Sequence, residues 1–306
     1  MNRRQLFGSV GAAGAALIAP SRAAAAIQQR TTRQHEVIAT DGTRLHCRDW
    51  GAGRPIVFLA PWSLNSTWWD YHLASLSAAG FRCVAFDRRG HGRSDEPSSG
   101  YDFDTLADDV AAVMTTLGLR DVLLVGHSMG AAEAVRYMAR HRAARVRQLM
   151  LIGTITPVTI MRPDNPDGAP AEALEQGRRG LMQDRPGVIA AAAAAFFGAP
   201  GNAVSQAALD RWTRSIVDEC SLKVMLDLHR AMTETDFRPD LSTIATPTLI
   251  VHGDADVSAR LDVTARRTHA LLEGSTLTIY EGAAHGLVVT HAARLREEIV
   301  AFAGRG

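Results

Sequence analysis

The sequence has little cysteine, almost no imbalance of charge and no long apolar run in its main part. Its 306 residues include 3 cysteines, too few for a disulfide framework and without the spacing of metal ligands. With a formal net charge of +1, the chain has no excess of basic residues of the kind that binds nucleic acid or an anionic membrane. After residue 30, no apolar stretch is long enough to span a bilayer. We therefore expect a globular protein without a metal site, a nucleic-acid partner or a membrane anchor in its main part.

The N-terminus differs from the rest of the chain. Arg3 and Arg4 precede an apolar stretch over residues 6–19, and four alanines at 23–26 offer small-residue cleavage sites. This pattern predicts a signal peptide over residues 1–26, and the paired arginines favour the bacterial twin-arginine route. The alternative, an amphipathic or disordered tail, is disfavoured because no acidic residue precedes position 36. We expect the mature protein in the periplasm or outside the cell.

From residue 36 onward, strand and helix patterns alternate, with Asp41-Gly42 as a hairpin turn. Helical patterns between buried strands predict βαβ crossovers and a doubly wound, mostly parallel sheet of eight strands. The predicted strands are 36–39, 44–50, 55–60, 81–86, 122–125, 146–152, 248–251 and 276–280. Two cysteines, Cys47 and Cys83, fall in strands expected to be neighbours, where an oxidising compartment would permit a disulfide. Strand neighbours rarely meet disulfide geometry, so buried free thiols are favoured.

The alternation stops after the sixth predicted strand. Between residues 157 and 240 no strand is evident, and Pro163 and Asn165–Gly168 indicate a loop. Helical patterns follow over 204–217 and 222–235. We interpret residues 157–240 as a helical cap over the active site, with residues 27–156 and 241–306 forming the core.

The segment Gly126-His127-Ser128-Met129-Gly130 is the strongest functional motif in the sequence. It reads G-x-S-x-G, follows a buried strand and precedes a helical pattern, which is the context that a nucleophile elbow requires. In that motif the serine sits on a strained turn that lifts its hydroxyl above the sheet. A serine hydroxyl is a weak nucleophile at neutral pH, so a base and an acid must lie elsewhere in the chain.

An acid and a histidine follow the elbow in the expected order. The strand at 248–251 leads into Gly253-Asp254-Ala255-Asp256, and the next strand leads to His285. The order Ser, Asp, His is that of α/β-hydrolases. In the usual G-x-x-D pattern the aspartate lies three residues after the glycine, which favours Asp256 over Asp254. We assign Asp254 to capping the turn.

Several further segments resemble the cofactor-free haloperoxidase and arylesterase branch of the α/β-hydrolases. The resemblance runs from about residue 40 to the C-terminus and includes the cap. The matching segments are Ala85–Asp95, Tyr101–Thr105, Pro163–Pro166, Phe196–Gly198 and Glu234–Arg238.

The resemblance implies a serine esterase without metal, haem or other cofactor. It implies Ser128, Asp256 and His285 as the catalytic triad, with the backbone N–H groups of Met129 and Trp62 forming the oxyanion hole. Some members of the branch also let peroxide replace water at the acyl-enzyme, which releases a peracid.

Two positions depart from the pattern of that branch. Pro61 and Ser63 stand where the family usually has glycine and proline, so we expect only weak peracid formation. Arg260 replaces a proline four residues after the acid, which predicts a different shape for that loop.

Other candidate site residues have less specific signals. Arg88 and Arg89 are interpreted as holding a turn by hydrogen bonds rather than binding an anion. The histidine at the variable elbow position, His127, is expected to be packed and hydrogen-bonded, while Trp62 is expected to face the pocket. Phe196 and Phe197 line the acyl pocket or anchor the cap, with neither role preferred.

The sequence therefore predicts hydrolysis of small, fairly apolar carboxylic esters through an acyl-enzyme on Ser128. A serine at the elbow argues against epoxide hydrolases and haloalkane dehalogenases, which use an aspartate there. Lactonase, C–C bond hydrolase and acyltransferase activities on the same triad remain open. So does a small-molecule receptor on a hydrolase scaffold, because such receptors can keep the triad.

Overall fold

The structure is a computed structural model, and it describes residues 33–198, 201–202 and 204–305. The predicted signal peptide at residues 1–26 lies outside the described residues. The eight strands are β1 (Arg33–Ile38), β2 (Arg44–Gly51), β3 (Pro55–Leu59), β4 (Arg82–Phe86), β5 (Val122–His127), β6 (Val146–Ile152), β7 (Thr248–Gly253) and β8 (Thr276–Tyr280).

All eight strands form one sheet in the order β1-β2-β4-β3-β5-β6-β7-β8. The β1–β2 hairpin and the β2–β4 pair are antiparallel, and the remaining pairs are parallel. The predicted fold, an eight-stranded and mostly parallel doubly wound sheet, is confirmed. Crossovers between parallel strands place helices on both faces, which explains why β5 and β7 are buried throughout.

Ten α-helices, besides a short 3₁₀ helix over Ser66–Trp69, accompany the sheet in the described residues. They are α1 (Asp70–Ala78), α2 (Phe103–Thr116), α3 (Met129–Arg140), α4 (Ala171–Phe197), α5 (Gln206–Asp218), α6 (Leu222–Glu234), α7 (Arg238–Leu241), α8 (Ala265–Leu271), α9 (Leu287–Thr290) and α10 (Ala292–Ala303). Strand β3 shows how the core divides. Val57 and Leu59 face the apolar cluster shared with α2 and α3, while Ile56 and Phe58 face the cluster shared with α1 and α10.

Helices α4 to α7 all lie between β6 and β7; we call residues 157–240 the cap, and α7 ends one residue beyond it at Leu241. Helix α4 is interrupted at Asp184, whose φ of −151° and ψ of 75° are not helical, two residues before Pro186. Proline cannot donate a backbone hydrogen bond inside a helix, which accounts for a break at this position. No helix in the described part of the chain combines the length and apolar character needed to cross a bilayer.

The cysteines are buried free thiols. Cys47 on β2 and Cys83 on β4 lie on neighbouring strands, but they face opposite sides of the sheet and belong to different apolar clusters. A disulfide between them is therefore excluded in this fold. Burial raises the pKa of Cys47 and of Cys83 to about 12, so both side chains behave as small apolar groups.

Candidate active site

Ser128 occupies the sharp turn between β5 and α3. Its φ of 57° lies in the left-handed region, which a residue other than glycine adopts only when its surroundings impose it. The flanking glycines make the turn sterically feasible. A Cβ on Gly126 would overlap the Gly130 carbonyl, and a Cβ on Gly130 would overlap the carbonyl of Leu59. The local sequence therefore builds the strand–turn–helix geometry that the motif predicts.

The fold brings Ser128, His285 and Asp256 into one hydrogen-bonded chain. His285 Nε2 lies 2.8 Å from Ser128 Oγ, and His285 Nδ1 lies 2.6 Å from Asp256 Oδ2. The carboxylate accepts from the Nδ1 hydrogen, and this leaves Nε2 free to accept the serine hydroxyl proton. All three residues are buried, with exposures of 4–6%. The arrangement is that of a nucleophile, a base and an orienting acid.

The environment of Asp256 keeps its carboxylate ionised. Its Oδ1 accepts the backbone N–H groups of Ser258 and Ala259 at 2.9 and 2.8 Å. Burial alone would raise its pKa, but the His285 ring, the His252 ring and the Ala259 N–H outweigh burial and lower the pKa below its usual range. His252 Nε2 donates to the Ala259 carbonyl at 2.6 Å and lies 3.4 Å from Asp256 Oδ2.

Asp254 has a different role in the same loop. Its Oδ1 accepts the backbone N–H of Gly282 at 2.7 Å, so it ties the end of β7 to the turn after β8. Among the described residues, Asp256 supplies the carboxylate that contacts His285. The structure thus places Asp254 in a turn and Asp256 beside the histidine, as the G-x-x-D spacing favours.

Two backbone N–H groups are available near Ser128. Met129 is the first residue of α3, so its N–H has no acceptor within the helix. Within the described residues the backbone N–H of Trp62 also has no protein acceptor. Pro61 begins a tight turn, in which its carbonyl accepts from the Leu64 N–H at 3.3 Å and Ser63 has a φ of 59°. The two donors lie on different elements, the loop after β3 and the start of α3.

A cavity of about 310 Å³ opens above Ser128 and His285. Its wall is mostly apolar and comes largely from the cap. The cap residues that line it include Gly177, Leu181, Val188, Ile189, Ala192, Phe196, Trp212, Ile216, His229 and Met232. Burial, followed by the nearby charge of Arg178, lowers the pKa of His229 to about 4 and leaves this ring neutral near pH 7. The cavity therefore suits an apolar group of modest size.

Three aromatic residues predicted near the pocket occupy distinct places. Trp62 lines the cavity, and its indole N–H donates to the Met225 carbonyl of α6 at 3.0 Å. Phe196 also lines the cavity, and its ring centre lies 5.2 Å from that of His285. Phe197 is 2% exposed and packs beside Gly286, where a Cβ would come within 2.5 Å of its ring. Of the two roles considered for these phenylalanines, Phe196 therefore lines the pocket and Phe197 anchors the cap to the core.

His127 is packed and hydrogen-bonded. It is fully buried, its Nε2 lies 3.0 Å from the His285 carbonyl oxygen, and its ring stacks on Trp68 with centres 5.6 Å apart. Burial and the His285 ring hold its pKa well below the usual value, so the side chain stays neutral. These contacts support the position of the backbone at His285.

Arg88 and Arg89 hold the turn after β4 through buried ion pairs. Arg88 pairs with Glu133 at 2.6 Å, and Arg89 pairs with Asp109 at 2.7 Å. Neither guanidinium lines the cavity above Ser128. Arg260 donates to the Asp167 carbonyl at 2.9 Å and so links the acid loop to the cap. In the part of the chain that the structure describes, no group of three or more His, Cys, Asp or Glu side chains could hold a metal ion.

Sequence reasoning missed three features of the site. These are the contact of His252 with Asp256, the cap residues other than Phe196 that line the cavity, and the hydrogen bond at 2.8 Å from Arg88 to the Ala60 carbonyl in the loop after β3. His252 carried a weak signal, because it lies four residues before Asp256 at the end of a buried strand. The cap residues carried none, since an apolar side chain inside a helix does not reveal which surface it faces.

The family model for the alpha/beta hydrolase fold matches residues 54–292. The chain therefore belongs to the α/β-hydrolase family, the class that its fold defines. A non-heme haloperoxidase of Rhodococcus erythropolis is 39% identical over 269 residues, which cover 87% of this chain and 98% of that protein. Within the family, the chain lies in the branch of non-heme haloperoxidases and esterases.

Solved structures of that branch superpose closely on this chain. The bromoperoxidase from Bacillus anthracis has a TM-score of 0.83 and 30% identity, covering 89% of this chain and 99% of that one. The esterase from Exiguobacterium antarcticum has a TM-score of 0.84 and 29% identity, with the same coverage of 89% and 99%. The protein is accordingly an enzyme, a hydrolase of the carboxylesterase type.

Proposed function

We propose that the protein is a serine carboxylesterase that cleaves small, fairly apolar esters through an acyl-enzyme on Ser128. The observation that carries the proposal is the hydrogen-bonded chain from Ser128 through His285 to Asp256, at the base of an apolar cavity. In this chain Ser128 is the nucleophile, His285 is the base in the correct tautomer, and Asp256 is the buried carboxylate that stabilises the imidazolium.

The reaction proceeds in two halves. Ser128 Oγ attacks the ester carbonyl while His285 Nε2 takes its proton, and the tetrahedral oxyanion accepts from the Trp62 and Met129 N–H groups. Collapse of this intermediate expels the alcohol, which receives the proton from His285. Water then attacks the acyl-enzyme while His285 takes its proton, and collapse of the second intermediate releases the carboxylic acid as His285 returns that proton to Ser128 Oγ. Each oxyanion donor is typically worth about 3–4 kcal/mol of barrier.

The cavity supports a small apolar acyl group. Its volume of about 310 Å³ and its apolar cap wall suit a short aliphatic chain or a single aromatic ring. Lactonase, C–C bond hydrolase and acyltransferase activities would use the same three residues with a different occupant of the cavity.

Perhydrolysis is proposed as a weak side activity. A relative named as a haloperoxidase supports it, since peroxide can compete with water for the acyl-enzyme. The loop after β3 limits it, because Pro61 and Ser63 replace the usual glycine and proline. Ser63 has a φ of 59°, which a proline cannot adopt, so this loop has a different backbone from one with proline at that position.

The proposal is tested by trapping the covalent intermediate. The protein is mixed with a series of p-nitrophenyl esters of increasing acyl length, and turnover is followed by nitrophenolate release. A fluorophosphonate probe is then mapped by peptide mass spectrometry. We expect turnover that is highest for short acyl chains and a single phosphonate adduct on Ser128. Tight binding of esters without turnover would instead support the receptor alternative.

Export by the twin-arginine route is proposed on the sequence alone. Mass spectrometry of the protein from the periplasm should find a terminus near residue 27. Replacing Arg3 and Arg4 by lysine should leave precursor in the cytoplasm. An exported protein that keeps its original N-terminal residues would contradict cleavage.

A further inference from the structure

The two proposed oxyanion donors lie on separate elements, and a single buried side chain joins those elements. Trp62 belongs to the loop after β3, and Met129 begins α3. Arg88, which follows β4, donates through Nη2 to the Ala60 carbonyl at 2.8 Å and to Glu133 Oε2 at 2.6 Å. Ala60 lies two residues before Trp62, and Glu133 lies one helical turn after Met129.

We propose that Arg88 is a positioning residue that, with Glu133, sets the distance between the Trp62 and Met129 N–H groups. The inference rests on the proposed function, since it assigns these groups to the oxyanion. Arg88 Nε also donates to Glu133 Oε2 at 2.9 Å, so the guanidinium is held by two bonds to the helix. Its third bond reaches the loop. Among the described residues, no other side-chain hydrogen bond joins the loop at 60–63 to the first turns of α3.

Burial makes this link rigid. Arg88 is 3% exposed and Glu133 is fully buried, so neither charge is screened by water. The close contact at Gly130 also fixes the separation of the loop from the helix, because a Cβ there would overlap the carbonyls of Leu59 and Ala60. Helix and loop therefore touch at Gly130, and Arg88 sets their relative position from the other side. An oxyanion hole depends on donors held within a few tenths of an ångström, which a flexible loop would not provide.

A second ion pair in the same turn offers a matched control. Arg89 is 1% exposed and donates to both carboxylate oxygens of Asp109, each at 2.7 Å. Its remaining contact is Asp41 in the β1–β2 turn, at 2.7 Å. Both pairs join an arginine to a buried carboxylate, of Glu133 or Asp109, with similar burial and bond length. Arg89, however, joins α2 to the hairpin and contacts neither proposed donor segment.

The experiment compares Arg88→Lys with Arg89→Lys, each measured for ester hydrolysis and for thermal unfolding. A lysine at 88 reaches either Ala60 or Glu133 but does not form the same fork. We expect kcat to fall roughly 10–100-fold with KM changed less than twofold, because donors aimed at the oxyanion act mainly in the transition state. A boronic acid that forms a tetrahedral adduct on Ser128 should lose affinity by the same factor, while the carboxylic acid product should not. Arg89→Lys should change kcat less than twofold at a similar loss of Tm.

Hydrogen exchange gives a readout that needs no turnover. In Arg88→Lys the backbone amides at 60–64, namely those of residues 60 and 62–64 because Pro61 has no N–H, should exchange at least fivefold faster, and in Arg89→Lys they should keep their wild-type rate. If Arg88→Lys folds poorly, Glu133→Gln supplies the second variant, because it keeps the size of the side chain and removes the charge that holds Arg88.

The outcomes separate this inference from the proposed function. Equal losses of kcat in Arg88→Lys and Arg89→Lys, or unchanged exchange at 60–64 in Arg88→Lys, would overturn the positioning role while leaving esterase activity intact. A wild-type protein that hydrolyses no ester would overturn the proposed function, and faster exchange at 60–64 would still support Arg88 as the link between loop and helix.

Discussion

The core and the cap meet above Ser128 and contribute different chemistry. Among the described residues, the core supplies the hydrogen-bonded chain of Ser128, His285 and Asp256 and the proposed oxyanion donors, the backbone N–H groups of Trp62 and Met129. The cap supplies most of the apolar wall of the cavity. The proposed function therefore assigns catalysis to the core and substrate choice to the cap, and substitutions in each should have different kinetic effects.

The two regions are nevertheless joined close to the reacting groups. The Gly286 N–H, next to His285, donates to the Phe196 carbonyl at 2.7 Å, and the Trp62 indole donates to the Met225 carbonyl. Both bonds use a backbone carbonyl of the cap and a group adjoining the site in the core. These two hydrogen bonds fix the position of the cap over the site without placing a charged side chain in the cavity.

Removing the nucleophile should have the largest effect, and it concerns the core alone. Ser128→Ala should lower kcat for every ester by about 10⁴–10⁶-fold, because the covalent step needs the hydroxyl. The variant should unfold within a few degrees of the wild type, since the side chain is small. Nitrophenolate release and thermal unfolding measure the two quantities. Activity near that of the wild type, with contaminating esterases excluded, would contradict the mechanism.

The two aspartates of the acid loop should differ strongly. Asp256→Asn should lower kcat by about 10²–10⁴-fold, because the amide no longer stabilises the imidazolium and favours the wrong tautomer of His285. Asp254→Asn is the matched control, because Asp254 lies one residue after the end of β7 and Asp256 lies three residues after it, and it should cost less than about fivefold. The reverse ranking would show that the other aspartate orients the base.

Acid should destabilise both regions through buried histidines. Burial lowers the pKa of His72 in the core and of His229 in the cap to about 4. In the unfolded chain a histidine has a pKa near 6.5, so the unfolded state binds more protons between about pH 6.5 and pH 4. The free energy of unfolding therefore falls as pH falls through this window, by about 2 kcal/mol per histidine between pH 7 and pH 5. Urea unfolding of His72→Gln and His229→Gln at both pH values measures it, and an unaltered pH dependence in both variants would contradict this account.

Substitutions of Phe196 and Phe197 test whether lining the cavity and anchoring the cap are carried by separate residues. Phe196→Ala enlarges the cavity beside His285 and should shift the preferred acyl length, changing kcat/KM by about tenfold or less for any one ester. Phe197→Ala should leave that preference unchanged and lower the free energy of unfolding by about 3 kcal/mol, because its ring is fully buried. A comparison of acyl-chain profiles and urea unfolding distinguishes the two. A shifted profile in Phe197→Ala alone would reverse the assignment.

The smallest expected effect concerns the loop after β3. The double variant Pro61→Gly, Ser63→Pro restores the family pattern and forces residue 63 from its φ of 59° to a negative φ, which glycine at 61 leaves the loop free to accommodate. It should raise the ratio of peracid formation to hydrolysis by about threefold to tenfold, the equivalent of one hydrogen bond to the attacking peroxide. Pro61→Gly alone is the control. The assay adds hydrogen peroxide to an acetate ester and measures peracetic acid beside acetate. Peracid formation that already matches hydrolysis in the wild type at millimolar peroxide would contradict the proposed limit.

Much of the fold was predictable because its signals are local. Strands β5 and β7 read as short apolar runs, and the break after β6 coincides with prolines and an Asn-Pro-Asp-Gly turn. The long helix α4 was harder to predict, since Pro186 interrupts it and its apolar residues follow no single stripe. Helix α8 was missed, because its seven residues include two arginines and a histidine.

The sequence by itself determined the elbow and the order of the reacting residues. Gly126 is required by contacts with Gly130 and Ala131, within a few residues of Ser128, so the G-x-S-x-G spacing can be recognised in the chain. Gly130 is required by its contact with the distant carbonyls of Leu59 and Ala60, which only the fold brings together with it. The tertiary structure alone decided which phenylalanine faces the cavity, that Cys47 and Cys83 point to opposite faces, and that Arg88 bridges the loop after β3 to α3. These outcomes depend on packing between segments that are far apart in the chain, such as those of Arg88 and Glu133. The direction of a side chain in such a contact is set only when the sheet and helices have assembled.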